Sequence, residues 1–419
     1  MTGRQRLIAT LNHRQPDRVC VDFGGTPVSG IHTSIVHQLK QRLIGPKASP
    51  AKVIEPYQML GEVDAELRAA LGVDVVGIPG RKNLFGYESK NWKPFTLFDG
   101  TPCLVPGDFQ VTPSADGGWL MYPEGDLKAP PSGHMPKGSY FFDTIIRQEP
   151  IDESKMNPED NLEEFGLLSE ADIAYYKAQA KWIDEHAPDQ GVILVVPGTA
   201  FGDIALVPAP FMKHPKGVRD IAEWYMTTAA NPEYVHAVFE KQCEYGLKNI
   251  ETLTGIFGNR VQAAMVTGTD FGTQCSLFIS KDAYRDLFKP YHKRINDLIH
   301  AITPWKSFIH SCGAVYELIP DFIEAGFDIL NPVQCSAKGM DAVKLKQNYG
   351  KDITFWGGVV NTQHTMYQKP DDVYREVLER IALFNKDGGF VCNAVHNIQG
   401  NCPIDNVLAM FKAIKDSAG

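Results

Sequence analysis

The chain has 419 residues, enough for one large domain or two ordinary ones. Hydrophobic residues at 43% and charged residues at 22% are the balance of a soluble globular protein with a sizeable core. Lys and Arg number 41 against 50 Asp and Glu, and the net charge of −9 argues against nucleic acid or an anionic membrane surface as the partner. Eight cysteines are too sparse for a disulfide scaffold, and Met1–Asn12 carries no apolar signal region. The most apolar stretch, Gly191–Phe211, is broken by Pro197, Asp203 and Pro208, so no membrane span is expected. These features predict a cytoplasmic protein with reduced thiols.

Taken in chain order, Met1–Asn12 is helical in pattern and is followed by a β-branched run at Arg18–Phe23. Further runs follow at Val73–Ile78, Gly191–Pro197, Val261–Thr267, Lys306–His310, Phe327–Asn331, Ile353–Gly357 and Gly389–Asn393. Between them lie amphipathic stretches such as Ile35–Leu43, Tyr234–Leu253, Ala283–Ile302, Val315–Ala325 and Val373–Phe384. Eight strand–helix alternations predict an α/β fold, a (β/α)8 TIM barrel, with a doubly wound open sheet as the other arrangement. The rhythm breaks once, between the second and third runs. Arg81–Phe142 is rich in Gly and Pro, with turn signals at Asp99-Gly100 and Asp116-Gly117-Gly118, and reads as inserted β-hairpins. Asp152–Ala187 is acidic and ends in a helix around Ala171–Glu185. The chain therefore reads as one barrel domain over 1–419 with an inserted lobe at 81–190. That lobe serves as a lid or as a packing and oligomer surface. The aromatics Trp119, Tyr122, Tyr140, Phe141 and Phe142 form its core or line an apolar pocket.

In a barrel, chemistry gathers where strands end. The fourth run leads into Asp270-Phe271-Gly272-Thr273-Gln274, the fifth ends in His310-Ser311-Cys312-Gly313, and the sixth in Asn331-Pro332-Val333-Gln334-Cys335. The seventh runs through Gly357-Gly358 to Asn361, and the eighth ends at Cys392, ahead of His396-Asn397-Ile398-Gln399. Five successive polar strand ends point to one shared site with Asp270, Gln274, Gln334, Asn361 and His396 as candidate catalytic residues. Residues i and i+2 of an extended segment face the same side, so His310 and Cys312 can present an imidazole and a thiol to one point. Such donors suit Zn2+, three protein ligands leaving a fourth position open for chemistry. Cys392 is the first candidate for the third ligand, with Cys335 and His396 as competitors. Asp270 and Gln274 position a polar substrate or exchange protons, and Asp270 alternatively caps the next helix.

The sequence resembles the uroporphyrinogen decarboxylase superfamily. The resemblance rests on Gly3-Arg4-Gln5-Arg6-Leu7, on Asn12-His13-Arg14-Gln15-Pro16-Asp17-Arg18-Val19, and on Asp270–Gln274, Lys289-Pro290-Tyr291, His310–Gly313 and Asn331–Gln334. It implies a (β/α)8 barrel with its site at the C-terminal face. True uroporphyrinogen decarboxylases carry an Arg-containing run after the first strand, where this chain has Gly24–Ile31 without arginine. Their essential aspartate ends the second strand, where this chain has Gly77-Ile78-Pro79-Gly80. Without those cations a polycarboxylate would lose several kcal/mol of binding, so porphyrinogen decarboxylation is disfavoured.

The other branch of the superfamily contains corrinoid-dependent methyltransferases, whose thiol-methylating members hold zinc through H-x-C and a distant Cys. His310, Cys312 and Cys392 are similar to that pattern. The resemblance implies methyl transfer between a small methylated substrate or thiol and a cobamide (cobalamin-type) cofactor carried by a partner corrinoid protein, as in O-demethylation. The Asn331–Gln334 and His396–Gln399 motifs resemble a bacterial subgroup of long members, in which Asp is more usual at the position of Asn361 and an apolar residue at that of Cys392. The alternatives are a carboxy-lyase acting on another carboxylated small molecule and a non-catalytic ligand-binding member. A homodimer is compatible with the sequence.

Overall fold

The computed structural model describes residues 1–418. Its centre is a sheet of eight parallel strands, numbered here as barrel strands: β1 Cys20–Val21, β2 Val75–Ile78, β3 Gly191–Val195, β4 Ala263–Thr267, β5 Lys306–His310, β6 Ile329–Asn331, β7 Thr354–Trp356 and β8 Phe390–Cys392. The order around the sheet is β1-β8-β7-β6-β5-β4-β3-β2, the sequential winding of a (β/α)8 barrel. The strands lie within the runs expected from the sequence; β5 fills its run and the others are shorter, β1 most of all.

The outer helices follow the amphipathic stretches. Tyr234–Leu253 lies inside a helix running Pro232–Phe257, and Val373–Phe384 inside Pro370–Phe384. Pro stands in the first turn of both, where its missing N–H costs no helical bond. The stretch from Ala283 is divided by a π-helical turn, Tyr284–Phe288, before the α-helix Lys289–Ile302.

Strand alternation sorts the core into two layers. Cys20, Val75, Ile193, Met265, Phe308, Ile329, Trp356 and Val391 meet in the barrel interior, closed from below by Leu7 and Leu11 of the helix Gly3–Leu11. Their neighbours Val21, Val76, Leu194, Ala264, Ile309, Leu330, Phe355 and Cys392 face outward into the larger core beneath the helices. The next inward layer, at the C-terminal mouth, is Asp22, Gly77, His310, Asn331 and Asn393.

Neighbouring barrel strands are laddered except at one seam, between β1 and β2. Two devices close it. At the bottom, Asp74 Oδ1 accepts from Arg6 (2.6 Å) and Arg18 (2.8 Å), while Oδ2 accepts from Arg18 (2.8 Å) and the Val21 N–H (3.0 Å). The Asp74 N–H donates to Val21 O at 2.8 Å. At the top, the loop after β1 turns into the barrel, so that a Cβ on Gly77 would lie 1.8 Å from the Gly25 carbonyl oxygen. Only glycine fits there.

Between β2 and β3 the chain builds two antiparallel sheets. One pairs Lys93–Thr96 with Pro102–Val105, joined at Asp99-Gly100; the other contains Val111–Pro113, Trp119–Met121, Gly133–Met135 and Asp143–Thr144. Phe142 and Met121 lie in the core of this region with Phe85 and Phe109, whereas Trp119 packs at its margin and Phe141 is exposed. The helix Glu170–His186 then leads to β3, its start capped by Ser169 and Asp172.

Asp74→Ala would remove the buried carboxylate that Arg6 and Arg18 share, leaving Arg6 to Asp17 alone, and is expected to cost about 3 kcal/mol, read from the urea midpoint. Gly77→Ala is expected to cost about 3 kcal/mol through the clash with Gly25. Gly80→Ala, whose Cβ would meet nothing closer than 3.6 Å, should leave the midpoint unchanged.

Candidate metal centre at the barrel mouth

His310 ends β5 and is 4% exposed. In register beside it on β6 stands Asn331, whose Oδ1 lies 2.6 Å from His310 Nδ1. The Asn331 amide nitrogen is already used, donating to Trp356 O on β7 at 2.8 Å. Asn331 can therefore only accept from the imidazole. That places the ring proton on Nδ1 and leaves the Nε2 lone pair facing the mouth.

Cys312 Sγ is 3.4 Å from that Nε2. The Cys312 N–H donates to Asp270 Oδ1 at 2.7 Å, and the same oxygen is 3.8 Å from His310 Nε2. His396, from the loop after β8, brings its ring to 5.7 Å from that of His310, centroid to centroid. One donor atom each from His310, Cys312 and His396 lie within 4.8 Å of one another. Two imidazoles and a thiol are a donor set for zinc.

Cys392 stands outside this group, which corrects its place as first candidate for the third ligand. Val391 faces the barrel interior, so period-two alternation sends Cys392 outward beneath the helices, where it is fully buried. Of the candidates for a third ligand, His396 is the one the structure brings to His310 and Cys312. Cys335 is likewise part of another layer, packed against the outer core.

The remaining candidates surround the centre at different distances. Gln334 Oε1 accepts from the Gly313 N–H at 2.9 Å, and its Nε2 donates to Gln274 Oε1 at 2.7 Å. The two glutamines thus brace the loop that carries Cys312, and Gln274 is exposed. Asn361 turns back on its own loop, its Oδ1 accepting from Gln363 and His364 N–H groups, and the structure does not bring it to the centre. Asp270 caps no helix here, since its carboxylate is engaged by Cys312.

Burial tunes these groups. It lowers both His310 and His396 to about 4, and proximity to His310 adds to the effect on His396. Burial also pushes the Cys312 thiol well up, with the Asp270 carboxylate adding to it. Asp203, in the loop after β3, is raised to about 7 by burial and by Asp270. Asp22 is raised to about 6 by burial; it accepts from Trp356 Nε1 and Gly25 N, each at 2.9 Å. Asn393 donates to Asp22 O at 2.7 Å, while its buried Oδ1 has no partner among the described residues.

Asp203, Asp22 and Asn393 were not among the residues singled out from the sequence. Asp22 lies next to the end, and Asn393 at the end, of runs recognised as strands, which was the available signal. Asp203 lies in a long irregular loop without a motif.

The uroporphyrinogen decarboxylase (URO-D) family model matches residues 204–417, just over half of the chain. The chain belongs to this family. No curated protein matches its sequence. Among solved structures, a methyltransferase from Methanosarcina mazei is 14% identical over 99% of each chain, with a TM-score of 0.56. At that identity the likeness is one of fold, the (β/α)8 barrel. The endo-1,4-beta-xylanase XylE of Penicillium canescens (11% identity, 64% of this chain and 98% of that one, TM-score 0.29) and a morphinone reductase (10%, 92% of each, TM-score 0.33) are matched less well. Among the described residues no helix is long and apolar enough to cross a membrane.

The lowered histidines predict the acid behaviour of the metal-free protein. Folded His310 and His396 resist protonation until about pH 4, whereas unfolded histidine protonates near 6.5. The stability each contributes is complete above 6.5 and is lost as pH falls from there to about 4. Urea unfolding in chelator at stepped pH should show this decline, and His396→Gln should make it shallower. An unchanged slope would refute the assignment.

Proposed function

We propose that this URO-D family member is a metal-assisted methyltransferase. It would move a methyl group between a small methylated substrate, such as a methoxylated aromatic, or a thiol, and a cobamide held by a partner corrinoid protein. The observation that carries the reading is the convergence of His310, Cys312 and His396 at the C-terminal mouth, with Asn331 fixing the His310 lone pair. The donor set fits zinc: both imidazoles are neutral near pH 7, the thiol can surrender its proton to a metal, and three ligands leave room for a fourth. Bound there, zinc supplies Lewis acidity to an oxygen or sulfur of the substrate.

The chain's own residues complete the arrangement. Asp270 holds the Cys312 backbone, and the Gln334–Gln274 pair holds Gly313, so the thiol is kept at the imidazole. Asp203 keeps its proton up to about pH 7 and packs beside Gly268 at the end of β4, where it can protonate a leaving oxygen. The segment 81–190 is proposed to wall the mouth, and the corrinoid protein to dock over it.

Decarboxylation of a polycarboxylate tetrapyrrole is disfavoured by the seam. The Gly25 backbone fills the space inside Gly77, leaving no room for a carboxylate at that strand end, and Gly24–Ile31 offers no cation.

Zinc titration of the purified protein tests the reading. One zinc per chain is expected, bound with release of about one proton at neutral pH as the Cys312 thiol ionises. The release is measured by calorimetry in buffers of different ionisation enthalpy. His310→Ala, Cys312→Ser and His396→Ala should each abolish tight binding, while Cys392→Ser should retain it. Retention in all three would sink the metal assignment and favour the carboxy-lyase alternative. Methyl-cobamide turnover, lost in the same variants, tests the transfer itself.

A further inference from the structure

A cavity lies between the helix Thr33–Leu43 and the hairpins that precede β3. Its volume is about 180 Å³, and its lining shares no residue with the His310–Cys312–His396 group. For scale, a cavity of about 150 Å³ accepts benzene. One wall is the stacked pair Phe98 and Trp119, ring centroids 3.7 Å apart and 15° from parallel. Another is the perpendicular pair His32 and Tyr140 at 5.6 Å.

Three observations set the chemistry of an occupant. Asp99 is the one ionised carboxylate in the lining, and neither Lys nor Arg accompanies it. One Asp99 oxygen accepts from Thr101 N–H at 2.9 Å, and Ser34 and Thr101 beside it hold the partly desolvated carboxyl below its ordinary value. Ser34 is fully buried. His32 adds no positive charge. Its Nδ1 accepts from Ser34 N–H at 3.2 Å, its Nε2 donates to Tyr140 O at 3.0 Å, and burial holds it neutral down to about pH 4.

A carboxylate with a buried hydroxyl beside it and aromatic faces favour a ligand with an ammonium group and a flat apolar body. We propose that this cavity binds a small aromatic amine, its ring against Phe98 and Trp119 and its ammonium at Asp99 and Ser34. The site also adjoins the loop that carries His396. A Cβ on Gly400 would meet Tyr140 at 2.3 Å and His32 Nδ1 at 2.7 Å, so the chain four residues past His396 rests directly on one wall.

The test uses 2-phenylethylamine as the probe, titrated into the full-length protein and followed by calorimetry and by Trp fluorescence. The same-shaped 2-phenylethanol and phenylacetate serve as neutral and anionic comparisons. The amine is expected to bind about tenfold more tightly than the alcohol, and phenylacetate more weakly still. Asp99→Asn keeps the acceptor for Thr101 and is expected to weaken the amine about tenfold while leaving the alcohol unchanged. An unchanged melting temperature in that variant establishes that the fold is intact. No binding of the amine at millimolar concentration, equal affinity for all three probes, or an Asp99→Asn variant that binds the amine as well as the parent would overturn the proposal. Because zinc content is measured separately in the same samples, failure here leaves the metal assignment standing, and the reverse also holds.

Discussion

The barrel depends on how its one unladdered seam is closed. Seven neighbouring strand pairs share parallel hydrogen bonds; β1 and β2 do not. In their place stands Asp74, which draws Arg6 from the bottom helix, Arg18 from the approach to β1 and the Val21 amide onto one carboxylate. A buried charge of this kind is strongly destabilising once its partners are removed, so the three elements are held as a unit. Above it, the Gly25 carbonyl lodges against Gly77 and occupies the part of the mouth that β1, β2 and β3 would otherwise leave open. Apart from Asp22, which is tied to Trp356 and Gly25, the inward polar side chains of that layer lie over β5, β6 and β8.

On that side, the ladder itself carries the site. His310 and Asn331 are register partners, so their side chains emerge together and meet without a loop having to find the geometry. Asn331 reaches one strand further to Trp356 O, and Trp356 reaches across to Asp22. A chain of hydrogen bonds thus runs from the imidazole through two neighbouring strands to the far side of the barrel. Each donor in it has one acceptor, which fixes the amide orientation of Asn331 and, through it, the imidazole tautomer. The site is preorganised by strands and finished by loops: Cys312 and His396 both come from beyond strand ends, and Cys312 is held there by its N–H on Asp270.

Much of this architecture was legible in the sequence, for physical reasons that differ from residue to residue. The eight runs could be found because parallel strands buried on both faces are continuous apolar segments, and the helices between them keep the 3.6-residue period. The same double burial hid the role of Cys392. In Gly389-Phe390-Val391-Cys392-Asn393 both faces are apolar up to Asn393, so nothing in the local pattern tells inward from outward. The His310–Cys312 pair was legible because i and i+2 spacing acts locally. The choice of His396 over Cys392 was not, since it depends on which residue of β8 faces inward. Asn361 looked like a site residue because it follows a strand end, yet an Asn in a loop satisfies its own backbone more cheaply than a distant ligand. Asp203 gave no signal because its environment is made entirely by tertiary burial.

The family's scaffold separates stability from chemistry along the barrel axis. Asp74, Arg6 and Arg18 lie at the N-terminal end, where substitution alters closure, whereas His310, Cys312 and His396 lie at the C-terminal end, where substitution alters what can be bound. A change of chemistry within the family therefore needs only a few strand-end side chains to change. In this chain the end of β2 has given up a side chain to admit the Gly25 backbone, and the ends of β5 and β8 present imidazole and thiol instead. A carboxylate-rich substrate needs cations around a wide mouth. A metal-held acceptor needs neutral soft donors in a narrow one. The charge at this mouth, with Asp203 and Asp22 raised by burial to about 7 and about 6 and no arginine in the first loop, is what favours proposing the second requirement for this chain.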